Sequence, residues 1–146
     1  MKLKNPLILF SLVIGLVFIG CGKKNEQLII GKWKIEDITA PHPNFEELPD
    51  SLREYYQKQI EIQTTLLLST GYYEFKKGGK CFFELDGTKS EGKWRLSDDQ
   101  KKLFTKEKGS ASEIEFDIKD LTEGVFTIES MVDGKMRRMV MKKYVN

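Results

Sequence analysis

Apolar and polar residues alternate one by one through the second half of this chain, and this pattern restricts its fold more than any other feature. After Gly71 the larger apolar side chains fall on every second position of several short segments. A period of two residues is that of a β-strand with one buried face. The residues that carry the pattern are Tyr73, Phe75, Cys81, Phe83, Leu85, Trp94, Leu96, Ile114, Phe116, Ile118, Phe126 and Ile128.

Short turn sequences separate these segments and indicate how the strands are connected. Gly78-Gly79, Asp86-Gly87 and Asp133-Gly134 are typical of tight hairpin turns. Because hairpins join antiparallel neighbours, the connections predict seven consecutive antiparallel strands after Gly71.

One more strand and a helix are predicted before Gly71. Leu28–Thr39 alternates like a strand, and the residues expected on its inner side are Gly31, Trp33, Ile35 and Asp37. From Ser51 to Ser69 the period becomes helical, and Ser51 with Glu54 predicts a capping box. The apolar stripe of this helix is expected to pack against the core or to cover one end of it. It consists of Leu52, Tyr55, Tyr56, Ile60, Ile62, Leu66 and Leu67.

Eight antiparallel strands with one apolar face predict a mainly β protein, with one helix inserted between strands 1 and 2. Closing such a sheet into a barrel removes its exposed edges. The interior of an eight-stranded barrel is either filled by side chains or holds one small ligand. The alternative is an open sheet or sandwich with the helix against one face.

The first residues of the chain have the layout of a secretory signal peptide. Lys2 and Lys4 precede Leu7–Ile19, an apolar run of 13 residues, whereas a membrane-spanning helix needs about 20. The alternative is an uncleaved N-terminal anchor. Removal of residues 1–20 leaves 22 basic and 22 acidic residues, a net charge of zero. Because no basic cluster with interleaved aromatics is present either, we expect no nucleic-acid partner.

The sequence Phe18-Ile19-Gly20-Cys21 resembles the lipobox of bacterial lipoproteins, although Leu is commoner than Phe at its first position. The resemblance implies that the thiol of Cys21 accepts a diacylglyceryl group and that cleavage occurs after Gly20. It also implies a cell-envelope location, with the outer membrane favoured because Gly22 is not the Asp of inner-membrane retention. The expected organisation is a signal peptide over 1–20, a tether over 21–27 and a barrel domain over 28–146.

Two Gly-Lys-Trp sequences suggest a family for the barrel. Gly31-Lys32-Trp33 in the predicted first strand is similar to the Gly-x-Trp signature of lipocalins, and Gly92-Lys93-Trp94 is similar to a pattern in bacterial lipocalin-like lipoproteins. The resemblance implies that Trp33, beside Gly31, closes one end of the barrel. It further implies that Arg137 or Arg138 packs on this Trp through a cation–π contact. The Thr-Asp-Tyr signature of animal lipocalins is absent.

The sequence offers little for catalysis. His42 is the single histidine and lies between two prolines, so the sequence offers no Ser-His-Asp or Cys-His site beyond His42 itself and no multi-histidine metal cluster. Cys81 is expected to be a buried, inert thiol. We therefore expect a protein that is not an enzyme and that needs no cofactor or metal.

Two functions stay open on the sequence. In the first, the barrel encloses a small hydrophobic ligand against seven residues: Tyr73, Phe75, Phe83, Trp94, Phe116, Phe126 and Ile128. In the second, the same residues fill the core, and the outer face or the helix binds a protein of the envelope. A ligand pocket of about 300 Å³ or more would separate the two.

Overall fold

The computed structural model describes residues 24–40, 45–46, 48–85, 87–132 and 134–145. The predicted signal peptide, Cys21 and His42 lie outside these residues. The strands are β1 (Gly31–Thr39), β2 (Tyr72–Phe75), β3 (Lys80–Glu84), β4 (Lys89–Leu96), β5 (Lys102–Glu107), β6 (Ile114–Leu121), β7 (Val125–Val132) and β8 (Lys135–Lys143). The helices are α1 (Asn25–Ile29) and α2 (Asp50–Thr70). No helix in these ranges is both long enough and apolar enough to cross a membrane.

The eight strands form a closed antiparallel barrel in sequence order. β1 pairs with β2 along one edge and with β8 along the other. The predicted mainly β class, the barrel and the helix between strands 1 and 2 are confirmed, and the open-sheet alternative is wrong. Because consecutive strands run in opposite directions, the β2–β3, β4–β5 and β6–β7 turns lie at the end where β1 begins. We call this the closed end and the opposite end the mouth.

The first strand begins three residues later than predicted, and its alternation breaks in the middle. Asn25–Ile29 forms the short helix α1, which takes up part of the predicted tether and the predicted start of the strand. The register of β1 with β8 then shifts between Ile35 and Asp37, which is a β-bulge. As a result Asp37 is exposed, contrary to its predicted inward position, and Ile38 packs against the core instead.

The predicted alternation holds elsewhere, with one exception at the mouth. Ile118 and Leu121 of β6 both pack against the core because a second bulge separates them. Ile114, predicted to be buried, is exposed because it is the first residue of β6, at the open rim. The buried hydrophobic residues are Ile29, Trp33, Ile35, Tyr73, Phe75, Cys81, Trp94, Leu103, Phe116, Phe126, Ile128, Met139 and Met141.

Helix α2 covers the predicted range but touches the barrel only near its C-terminal end. Leu67 and Leu68 pack against the core, whereas no residue of the helix is fully buried. The predicted capping box is wrong, because Pro49 is the N-cap and no side chain caps the helix. The expectation that the apolar stripe packs on the core is therefore met only in the last turn.

Packing of the barrel interior can be tested with two matched phenylalanines. Phe126 is fully buried and contacts the rings of Trp33 and Phe75, whereas Phe104 is half-buried beneath the exposed guanidinium of Arg95. We expect Phe126→Ala to lower the free energy of unfolding by about 3–5 kcal/mol through lost contacts and a cavity. Phe104→Ala should cost less than half as much. Urea denaturation measures both, and equal losses would contradict a close-packed interior.

Candidate functional site

Trp33 and Lys143 form the innermost part of the closed end. Trp33 is fully buried, and its indole Nε1 donates a hydrogen bond to the carbonyl oxygen of Ile29 in α1 at 2.6 Å. The Lys143 ammonium lies 4.3 Å from the centroid of the Trp33 ring. It also donates to the carbonyl oxygens of Leu28 and Ile30 at 3.0 and 2.5 Å. One cation therefore joins the last strand, the buried indole and the end of α1.

Gly31 allows this arrangement because its backbone conformation disfavours any other residue and because the Lys143 side chain passes close to it. Its φ of +128° lies in the region that favours glycine. A Cβ at this position would stand 2.7 Å from Cε of Lys143. Gly31 and Trp33, which the lipocalin resemblance placed at a barrel end, thus lie together beneath α1.

The prediction that Arg137 or Arg138 packs on Trp33 is wrong. In the β1–β8 ladder Trp33 is opposite Lys143, and Arg138 is opposite Thr39 at the far end of β1. Arg138 lies five positions before Lys143 along β8, which corresponds to about 17 Å of strand. Lys143 takes the expected cation–π position, and only knowledge of the register could have identified it.

Five of the seven predicted ligand-lining residues are aromatic rings that contact one another. Ring centroids lie 5.7 Å apart for Tyr73 and Phe75, 5.6 Å for Tyr73 and Phe83, and 5.5 Å for Phe75 and Trp94. Phe126 contacts Phe75 at 6.2 Å. Such distances are those of directly packed aromatic pairs, so these rings are one another's neighbours.

The remaining two, Phe116 and Ile128, are also buried in the same core. Three clefts of about 550, 390 and 450 Å³ lie on the described surface. Of the seven residues only Trp94 lines any of them, and it lines the second. The seven residues thus lie together, as the alternation predicted, with five of their rings in contact with one another, and six of the seven line none of these three clefts.

Two ionisable groups in this interior are held in their neutral forms. Burial raises the pKa of the Tyr73 hydroxyl well above its usual range, and burial raises the pKa of the Cys81 thiol to about 11. Since the thiolate is the reactive form of cysteine, Cys81 is an unreactive thiol at neutral pH. Among the described residues no group of three or more His, Cys, Asp or Glu side chains is placed to hold a metal ion.

The 550 Å³ cleft lies at the mouth, where β6 and β7 stop pairing. Their ladder reaches Asp117 and Glu129 and does not continue to Ile114 and Val132. Its walls carry four exposed apolar side chains: Ile114, Met131, Val132 and Met136. A volume of this size falls within the range of small-molecule sites. The alternation pattern did not single out Met131 and Met136, because they lie on the polar face.

Acidic side chains surround this cleft, and basic residues pair with them. Arg95 binds Glu113 through two hydrogen bonds of 3.1 and 2.6 Å, and this interaction lowers the pKa of Glu113. Further pairs join Lys102 with Glu115 and Asp117, and Lys119 with Asp117 and Glu129. The rim of the cleft is therefore polar but largely neutralised, while its walls are apolar.

A solved structure of another protein shares the fold of this chain. No protein-family model matches the chain, and no curated protein matches it. A DUF4847 family protein from Bacteroides vulgatus has a similar structure, with a TM-score of 0.50 and 11% identity over 84% of this chain and 98% of that one. A lipocalin-like protein from Bacteroides uniformis gives 0.47 and 13%, over 80% and 99%. At these identities the likeness concerns the fold alone.

The link made by Lys143 predicts a measurable contribution to stability. Lys143→Met keeps the side-chain length but removes two hydrogen bonds from a cation and the cation–π contact. We expect a loss of about 2 kcal/mol in the free energy of unfolding. Lys142→Met, on the exposed neighbouring position, should change it by less than about 0.5 kcal/mol. Chemical denaturation of both variants tests this, and equal stability of the two would remove the structural role of Lys143.

Proposed function

We propose that this chain is a lipid-anchored, non-enzymatic protein of the bacterial cell envelope whose barrel binds a small hydrophobic ligand at its mouth. The observation that carries the proposal is the 550 Å³ cleft between β6 and β7. When a hydrophobic molecule occupies the cleft, its exposed apolar walls would be removed from water. This burial favours binding by about 25 cal/mol of free energy per Å² of apolar surface.

The mouth is a better candidate site than the interior. Ligand entry among Tyr73, Phe75 and Phe126 would require aromatic rings in direct contact to separate. Close-packed interiors resist such expansion. The cleft needs no such rearrangement, because Met131 and Met136 are already exposed there. Methionine side chains are flexible and adapt to apolar ligands of different shapes.

The anchor proposal rests on Cys21 and on the position of α1. Between Cys21 and the start of α1 at Asn25 the chain can extend at most about 14 Å. A lipid on Cys21 would therefore hold the closed end near the bilayer, with the mouth directed away from it. The outer membrane remains the favoured destination because Gly22 follows the cysteine.

A second candidate function is binding of a protein partner, and one observation favours it. Leu52, Tyr55 and Ile62 of α2 are exposed, although apolar residues of a surface helix normally face the core. A helix that presents such a face to solvent is typical of an interaction surface.

Lipidation can be tested with the two cysteines of the chain. We expect cells grown with labelled palmitate to label the wild-type protein and the Cys81→Ala variant, because acylation depends on Cys21. The Cys21→Ala variant should carry no label. Palmitate that is absent from the wild type, or retained on Cys21→Ala, would eliminate the lipid-anchor proposal.

Ligand binding at the mouth can be tested with the neutral fluorescent probe Nile red. The double variant Met131→Ser/Met136→Ser should bind the probe about tenfold more weakly, since a total loss of about 1.4 kcal/mol of binding free energy from the two side chains has this effect. The matched control is Leu52→Ser/Ile62→Ser on α2, which should leave the affinity unchanged. Unaltered binding by the mouth variant, or weaker binding by the control, would exclude the cleft as the site.

A further inference from the structure

Helix α2 carries two different apolar surfaces. The first faces the barrel and consists of Leu67 and Leu68, which pack against the core. The second faces solvent and consists of Leu52, Tyr55, Ile62 and Leu66, whose exposed fractions range from 38% to 58%. With 100° of rotation per residue, the second surface is centred about 150° around the helix from the first. The barrel therefore cannot bury both.

The solvent-facing residues follow the spacing of a coiled coil. Together with Gln59 they occupy positions 52, 55, 59, 62 and 66, which are separated by three, four, three and four residues. This is the a/d pattern of a heptad repeat, whose seam faces a partner helix. We call these five residues the α2 seam. It extends over about 21 Å of the helix.

The apolar side chains of the seam are exposed in the described structure, and Leu66, the least exposed of them, lies near Gly87 of the β3–β4 connection. Among the described elements α2 has its main contact with β1 alone, and that contact involves the C-terminal part of the helix. Arg53 holds the preceding segment on another side by donating to the carbonyl oxygens of Phe45 and Leu48. Tyr56, one position beyond the seam, stacks on Phe45. The segment before the helix therefore flanks the seam without covering it.

We propose that the α2 seam binds the same seam of a second copy of this chain, with the two helices antiparallel. The seam reads Leu-Tyr-Gln-Ile-Leu in one direction and Leu-Ile-Gln-Tyr-Leu in the other. A two-fold axis near Gln59 thus places apolar residues against apolar residues in both copies, as an isologous dimer requires. The two Gln59 amides meet at the axis, where a polar pair fixes register and orientation in coiled coils.

The charges of α2 indicate that the seam binds a second helix and not a lipid surface. The positions flanking the seam are Ser51, Tyr56, Lys58, Gln63 and Thr65, of which only Lys58 is charged. Interfacial helices that bind anionic lipids carry several basic residues beside the apolar face. A largely neutral flank suits an apolar partner helix, and the like charge that it brings to the dimer axis is limited to Lys58 of each copy. This inference is independent of ligand binding at the mouth.

Cysteine cross-linking of the full lipidated chain in its membrane tests the proposal. Gln59→Cys places a thiol at the proposed two-fold axis, and mild oxidation should link two copies into a species of twice the mass. The matched control is Glu61→Cys, which is exposed on another side of the same helix. We expect at least about tenfold more dimer from Gln59→Cys, because a disulfide requires Cα atoms within about 7 Å.

A second variant separates specific packing from random collision. Ile62→Glu in the Gln59→Cys background places a carboxylate in the seam of each copy and should reduce the linked dimer about tenfold. Ile62 is exposed in the monomer, so the barrel should stay folded. Continued protection of Cys81 from maleimide in the Ile62→Glu variant without the added cysteine verifies this. A linked species of another mass would show a different partner. That result, equal linking of both cysteine variants, or indifference to Ile62→Glu would each overturn the proposal.

Discussion

The pairing of β1 with both β2 and β8 is the constraint on which the rest of the structure depends. Closure gives every alternating side chain either an inside or an outside position, so the apolar set is buried without an exposed sheet edge. It also brings Lys143, near the end of the chain, against Trp33 near its beginning. The two ends of the domain are therefore fixed at the same place, beneath α1.

Much of this fold could be predicted from the sequence because side-chain direction in a strand depends on local alternation. Phe75, Phe126 and Ile128 were placed correctly without any knowledge of strand pairing. The wrong predictions of burial occur where contacts between distant parts of the chain determine whether a side chain faces inward. The bulge before Asp37 reverses inside and outside, and the position of Ile114 at the open rim leaves it exposed. Neither effect has a signal in the residues themselves.

The candidate sites were less predictable than the fold, for a related reason. The Gly-x-Trp sequence pointed to Trp33, but its cation came from Lys143, since only the register of β8 determines which residue lies opposite. Likewise the cleft at the mouth arises where the β6–β7 ladder stops, and this stop cannot be read from alternating residues. The alternation placed the seven predicted lining residues on one face, and they do lie in or against one core. Whether such residues leave a cavity depends on side-chain packing, which alternation does not describe.

The residues that stabilise the barrel and the residues available for binding lie in different parts of the molecule. At the closed end Lys143 links Trp33 to α1, and in the interior the aromatic rings contact one another directly. Close-packed interiors resist the entry of a further group. The mouth and helix α2 instead retain exposed apolar side chains that contribute little to the monomer. A helix held by only its last turn gains little of the tertiary packing that normally stabilises helices. Burial of the α2 seam against a second helix would supply that packing, which gives a physical reason for a helix of 21 residues between β1 and β2.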